Sequence, residues 1–169
     1  MTKVVRHIWG AIRCENTEAI LPVFNSDKPI SSTGDMRQWY TGKPCEYTKR
    51  SHINVCVYDS KWEAAEAFEL ERHPDVDAWV KNDHLAFEIQ YVFGGVVQKY
   101  RPDFIIRLKS GRHLILEVKG QDTQREKIKR EFLDEWVRAV NGHGGFGEWC
   151  WAVSNRPGGV IDILEGILE

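Results

Sequence analysis

Long hydrophobic runs are missing from this chain of 169 residues, and no stretch is apolar enough to span a bilayer. The opening MTKVVRHIWG has no apolar block of the secretory kind, so we expect a cytoplasmic protein. Positive excess is also missing: the formal net charge is −2, which argues against a stand-alone nucleic-acid binder. It leaves room for a catalytic domain that another part of a complex delivers to DNA. Cysteine is sparse. Cys14, Cys45, Cys56 and Cys150 form no C-x-x-C and have no histidines at zinc spacing, so they read as reduced packing thiols. No G-x-x-x-x-G-K-[ST] occurs, which excludes a P-loop ATP site, and no internal repeat or low-complexity tract occurs either.

What is present suits one globular domain. Hydrophobic residues make up 42% and charged residues 28%, and the length allows a sizeable core. Residues 1–50 are rich in loop-forming types and read as an extension that packs on the core or on a missing partner. Residues 51–169 read as the domain itself. A short strand is expected over 53–58. A helix over 60–72 begins with the capping box formed by Ser60 and Glu63. LAFEIQYVF, 85–93, alternates as a strand, Gly94-Gly95 makes a hairpin turn, and the next strand runs past Pro102 to Leu108. A third strand covers 113–119. Thr123 and Glu126 open a long helix that Asn141-Gly142 ends, and EWCWAV, 148–153, is a fourth strand. The last ten residues read as a helix or a strand. The expected fold class is α/β: a mixed central sheet in the order helix, three antiparallel strands, helix, strand, with helices on both faces.

The informative stretch is RPDFIIRLKSGRHLILEVKG, 101–120. Its two apolar strands carry Asp103, Glu117 and Lys119. Unpaired charge in a core costs several kcal/mol, about the scale of a domain's net stability, so these residues need a reason. A three-residue loop of Lys109, Ser110 and Gly111 places Arg107 opposite His113 and Asp103 opposite Glu117, on one face with Ile115 and Lys119. Two adjacent carboxylates repel unless a cation lies between them. Hard oxygen ligands suit Mg²⁺, which keeps waters and often bridges to phosphate. A lysine two residues on can hold an attacking water or stabilise a pentacoordinate phosphate.

Pro102-Asp103 followed by Glu117-Val118-Lys119 resembles the signature of the PD-(D/E)xK nuclease superfamily, and the element order resembles its restriction-endonuclease-like core. The resemblance implies Asp103 and Glu117 as Mg²⁺ ligands, with Mn²⁺ able to substitute, and the Val118 carbonyl as a further ligand. It implies Lys119 as the catalytic lysine and an acidic helper from the preceding helix, best matched by Glu63, with Glu66 second. KPISSTGDM, SHINVCVYDSKWE, AWVKN and the 101–120 stretch look like the C-terminal nuclease region of type III restriction enzyme helicase subunits. That likeness implies double-stranded DNA as substrate, an ATP-dependent motor and a modification subunit outside this chain, and no membrane. Asp59-Ser60-Lys61 is a decoy at a helix start, where a cap explains it better.

Bland readings compete. Glu117 and Lys119 make an ion pair on a solvated sheet, Asp103 is a bend residue after Pro102, and Glu63 is only a cap. For phosphate positioning the candidates are Lys99, Arg101, Arg107, Gln121 and Arg125, with Arg101 and Gln121 nearest the scissile phosphate. Trp39, in a loop, is a candidate partner contact. Two other functions fit the same residues: a non-catalytic docking or DNA-binding module, and a structure-specific repair nuclease.

Overall fold

The computed structural model describes residues 38–85, 87–120 and 123–168. Gln121 and most of the expected N-terminal extension, residues 1–37, lie outside the described residues. Among the described residues, eight strands and three helices follow in order: β1 (Cys45–Tyr47), β2 (Val55–Val57), α1 (Lys61–Arg72), β3 (Val76–Lys81), β4 (Ile89–Phe93), β5 (Val96–Tyr100), β6 (Phe104–Leu108), β7 (His113–Val118), α2 (Gln124–His143), β8 (Trp149–Ser154) and α3 (Val160–Leu168). The protein is mixed α/β. Among the described residues, no helix is long and apolar enough to cross a membrane.

The central sheet has the order β3-β6-β7-β8. β3 and β7 both pair antiparallel with β6, and β8 pairs parallel with β7 after the crossover through α2. Strand alternation divides its core in two. Phe104, Ile106, Leu108, Leu114 and Leu116 pack with Ala67 and Leu70 of α1 and Val160 and Leu164 of α3. Ile115 points the other way and packs with Leu133 and Val137 of α2. Each such fully buried side chain contributes roughly 1.5–3 kcal/mol, which is what fixes the register. Ser60 and Thr123 are the N-caps of α1 and α2, as their spacing predicts, and the last segment is a helix. α2 runs past the expected Asn141-Gly142 stop to His143, with Gly144 as its cap.

Two expectations need correction. The strand after Gly94-Gly95 does not continue to Leu108: it breaks at Pro102 into β5 and β6, which belong to different sheets. β4 and β5 form a separate hairpin, with Phe93 paired to Val96 across Gly94 and Gly95, both at positive φ (61° and 80°). The first antiparallel strand of the central sheet is instead β3, which the sequence reading missed. VDAWVK has five buried residues of six, with only Asp77 exposed, so it lacks the period-two pattern that identifies a half-exposed strand.

The described end of the expected extension packs on the core. β1 pairs with β2, and the Arg50 guanidinium donates to the carbonyls of His73 and Val76. Trp39 stacks on His84, with ring centroids 4.3 Å apart, so an intramolecular partner already covers one face. His113 is half-buried and stacks on Trp149.

Candidate metal centre

The β6–β7 hairpin has the register its loop chemistry predicts. Gly111 is left-handed at φ 88°, its N–H donates to the Leu108 carbonyl, and Arg107 faces His113. Pairing continues to Phe104–Leu116, which brings Asp103 opposite Glu117 at the sheet end. The next position on that strand is Pro102, whose carbonyl has turned away to accept from Asn82 Nδ2 at 3.0 Å. Asp103 Oδ2 takes the vacated place and accepts the Val118 N–H at 2.7 Å. The Asn82 N–H holds the bend by donating to the Asp103 carbonyl at 2.8 Å. The proline thus aims the aspartate as well as ending a strand.

Glu117 is buried, and its Oε2 accepts from the Tyr100 hydroxyl at 2.5 Å. Burial pushes the Glu117 carboxyl up to about 7, and the neighbouring Asp103 charge adds to the shift. Burial also pushes Asp103 up to about 6; the Val118 N–H opposes this, and Glu63 reinforces it. Two raised acids side by side, one of them pushed further by the other's charge, gain nothing from proximity as a packing arrangement. Neither Asp103 Oδ1 nor Glu117 Oε1 has a hydrogen-bond donor among the described residues. Glu117 is buried and Asp103 half-buried, both at the end of the sheet. Among the described residues there is no cluster of three or more His, Cys, Asp or Glu of the kind that encloses an ion. Two hard oxygens without a donor among the described residues instead fit Mg²⁺, which is usually held by one or two carboxylates, waters and substrate phosphate.

Around the pair, α1 and α2 supply further charge. Glu63 closes the cap of α1: its N–H donates to Ser60 Oγ at 3.1 Å, and its Oε2 accepts the Asp59 N–H at 3.1 Å. The same carboxylate lies 2.7 Å from Lys81 Nζ, so cap and site neighbour are one residue. Lys81, the buried last residue of β3, also donates to Asp59 Oδ2 and the Val57 carbonyl. Burial works to lower its pKa, but hydrogen bonds to Asp59 and Glu63 prevail and hold it above the usual lysine range. Lys81→Met leaves two carboxylates without their shared cation. We expect a loss of about 1–3 kcal/mol, since Asp59 is half-exposed and solvent softens the effect, read as a lower urea midpoint at unchanged slope.

Lys119 Nζ lies 3.5 Å from Glu126 Oε1. Glu126 is the predicted capping-box acid of α2, and its N–H does bond Thr123. Its carboxylate, however, turns to Lys119 and Lys129. Gly120 follows Lys119 under the Trp62 ring, where a Cβ would sit 3.1 Å from the indole. That contact clamps the end of β7 to the first turn of α1.

No family model, curated protein or solved structure matches this chain. The site therefore stands on its own geometry.

The expected phosphate-binding residues are scattered. Lys99 and Arg101 both bind Glu88, at 2.6 and 2.5 Å. Arg125 donates to Tyr91 Oη and Gln98 Oε1 on the hairpin. Arg107 lies four residues along the chain from Asp103, roughly 13 Å at strand rise, and pairs with Asp77. Glu66, the second candidate for the acidic helper, sits on the buried face of α1. It is fully buried and accepts from Ser154 Oγ, Gly159 N–H and Val160 N–H, which makes it the cap of α3. The sequence reading missed Tyr100, Lys81, Asn82 and Glu126 as neighbours of the site. Only Tyr100 carried a usable signal, as the last strand residue before R-P-D.

Proposed function

We propose that this chain is a Mg²⁺-dependent DNA endonuclease domain with a restriction-endonuclease-like core of the PD-(D/E)xK type. The observation that carries the reading is the pair of raised carboxylates, Asp103 and Glu117, brought side by side at the sheet end, with Lys119 two residues after Glu117. Support also comes from the order helix, three antiparallel strands, helix, parallel strand, once β4–β5 is taken as an insertion.

In this reading Asp103 Oδ1 and Glu117 Oε1 hold the ion, with the Val118 carbonyl as a third ligand. Bound there, Mg²⁺ supplies charge neutralisation at the phosphate and acidifies a water. Lys119 brings its ammonium to the charge that develops on the phosphoryl oxygens during in-line attack. Glu126 keeps that ammonium localised at rest. Glu63 adds negative charge near Asp103 and helps orient the water.

Net charge and pairing bear on the partner. Lys99 and Arg101 share one carboxylate, and the whole chain is formally −2. Affinity for DNA would then come mostly from elsewhere. This suits a cleavage module of a type III-like restriction system, delivered to double-stranded DNA by an ATP-dependent motor and a modification subunit. The test is plasmid cleavage with Mg²⁺ or Mn²⁺ and with EDTA. Lys119→Ala should cut on the order of 10²–10³-fold more slowly with its melting temperature unchanged. Equal cutting by parent and variant ends the assignment.

A further inference from the structure

We propose that Tyr100 is a positioning residue for Glu117: its hydroxyl holds Oε2 so that Oε1 alone faces the ion. The inference rests on the nuclease reading above and extends it to a residue on the inserted hairpin.

Tyr100 ends β5 and is paired with Ile89. Its ring is 2% exposed and packs in the cluster of Ile89, Tyr91, Ile115, Leu133 and Val137. Lys129 Nζ lies 5.3 Å from the ring centroid on the α2 side. The hydroxyl therefore sits on a fixed platform built from the hairpin, α2 and β7. A buried tyrosine hydroxyl needs some acceptor, and a backbone carbonyl would satisfy it as well. This one is spent on the carboxylate that no other described donor reaches. A carboxylate with one oxygen held presents the other in a single orientation, and loss of such an outer partner typically weakens metal binding 10–100-fold. The same bond ties the β4–β5 insertion to the site, and the chain then runs directly through Arg101 and Pro102 into Asp103.

Tyr100→Phe keeps the ring and removes one bond. Calorimetry with Mn²⁺ alone should show affinity falling 10–100-fold. The metal-free melting temperature should stay within about 3 °C of the parent. Cleavage should be slow at low Mg²⁺ and return to near the parent rate when Mg²⁺ is raised, a rescue that a damaged fold would not give. Unchanged Mn²⁺ affinity in Tyr100→Phe overturns the inference and leaves the nuclease reading intact. A metal-free protein that melts much lower also overturns it, because the hydroxyl is then structural. If the parent binds no Mn²⁺ and Asp103→Asn behaves identically, the nuclease reading fails and takes this inference with it.

Discussion

At pH 8, in EDTA, Glu117→Gln should melt at a higher temperature than the parent, and with Mg²⁺ restored it should fail to cut DNA. Both effects have one cause. Burial and Asp103 raise the Glu117 carboxyl to about 7, well above an exposed glutamate. A raised acid stabilises the fold only while it keeps its proton. The contribution is whole below the unfolded-chain value, near 4.5, and is lost as pH rises through the folded value, near 7. At pH 8 the metal-free protein therefore carries two buried, repelling charges. A neutral amide removes one of them and can still accept from Tyr100. The gain should be about 1–3 kcal/mol, or several degrees for a chain of this size. At pH 5 it should vanish, since the parent's carboxyl is then protonated. Cleavage should drop by on the order of 10³-fold or more, as a ligand oxygen and its charge are gone. A variant that melts lower than the parent at pH 8 would mean that the carboxylate is a structural ion partner, and the site reading would fall.

The hairpin that carries this prediction was legible because its rules are local. Gly111 in a three-residue loop sets Arg107 against His113, and alternation does the rest. The caps Ser60 and Thr123 and the Gly94-Gly95 turn are equally local. What stayed hidden depends on tertiary placement. β3 is buried on both faces and lacks an alternating pattern, so a neighbouring strand, 85–93, took its place in the expected sheet. Pro102 was expected to bend a continuous strand; in fact Asn82, twenty residues away, binds its carbonyl and lets β5 leave the sheet. Two residues assigned by charge or position alone have other partners: Arg107, toward the other end of β6, and Glu66, one helical turn from Glu63 but on the buried face of α1. Glu126 reaches the site from a helix that nothing in its own sequence directs there, and Tyr100 had only its place before R-P-D to mark it.

Glu66 gives the largest stability effect we expect. Its carboxylate, fully buried, takes Ser154 Oγ at 2.7 Å, Val160 N–H at 2.9 Å and Gly159 N–H at 3.2 Å. The last two are orphan donors at the start of α3, where negative charge is favoured. Glu66→Ala strips all three and leaves a cavity, so a loss of about 3–5 kcal/mol is expected, roughly 10 °C in melting temperature. Glu66→Gln keeps an acceptor oxygen but turns an amide N–H₂ toward other donors, and should fall between. The consequence for the site is indirect. Ser154 is paired with Val118, and its carbonyl accepts the Lys119 N–H at 2.8 Å, so Glu66 supports the strand end that carries the lysine. Cleavage measured well below the lowered midpoint should therefore survive in Glu66→Ala. Glu63→Gln should show the reverse: a small stability cost from the altered cap, about 1 kcal/mol, with cutting slowed 10–100-fold even at low temperature. If Glu66→Ala instead cuts slowly at parental stability, the two glutamates have exchanged roles. The acid on the buried face of α1 would then be the one that serves the reaction.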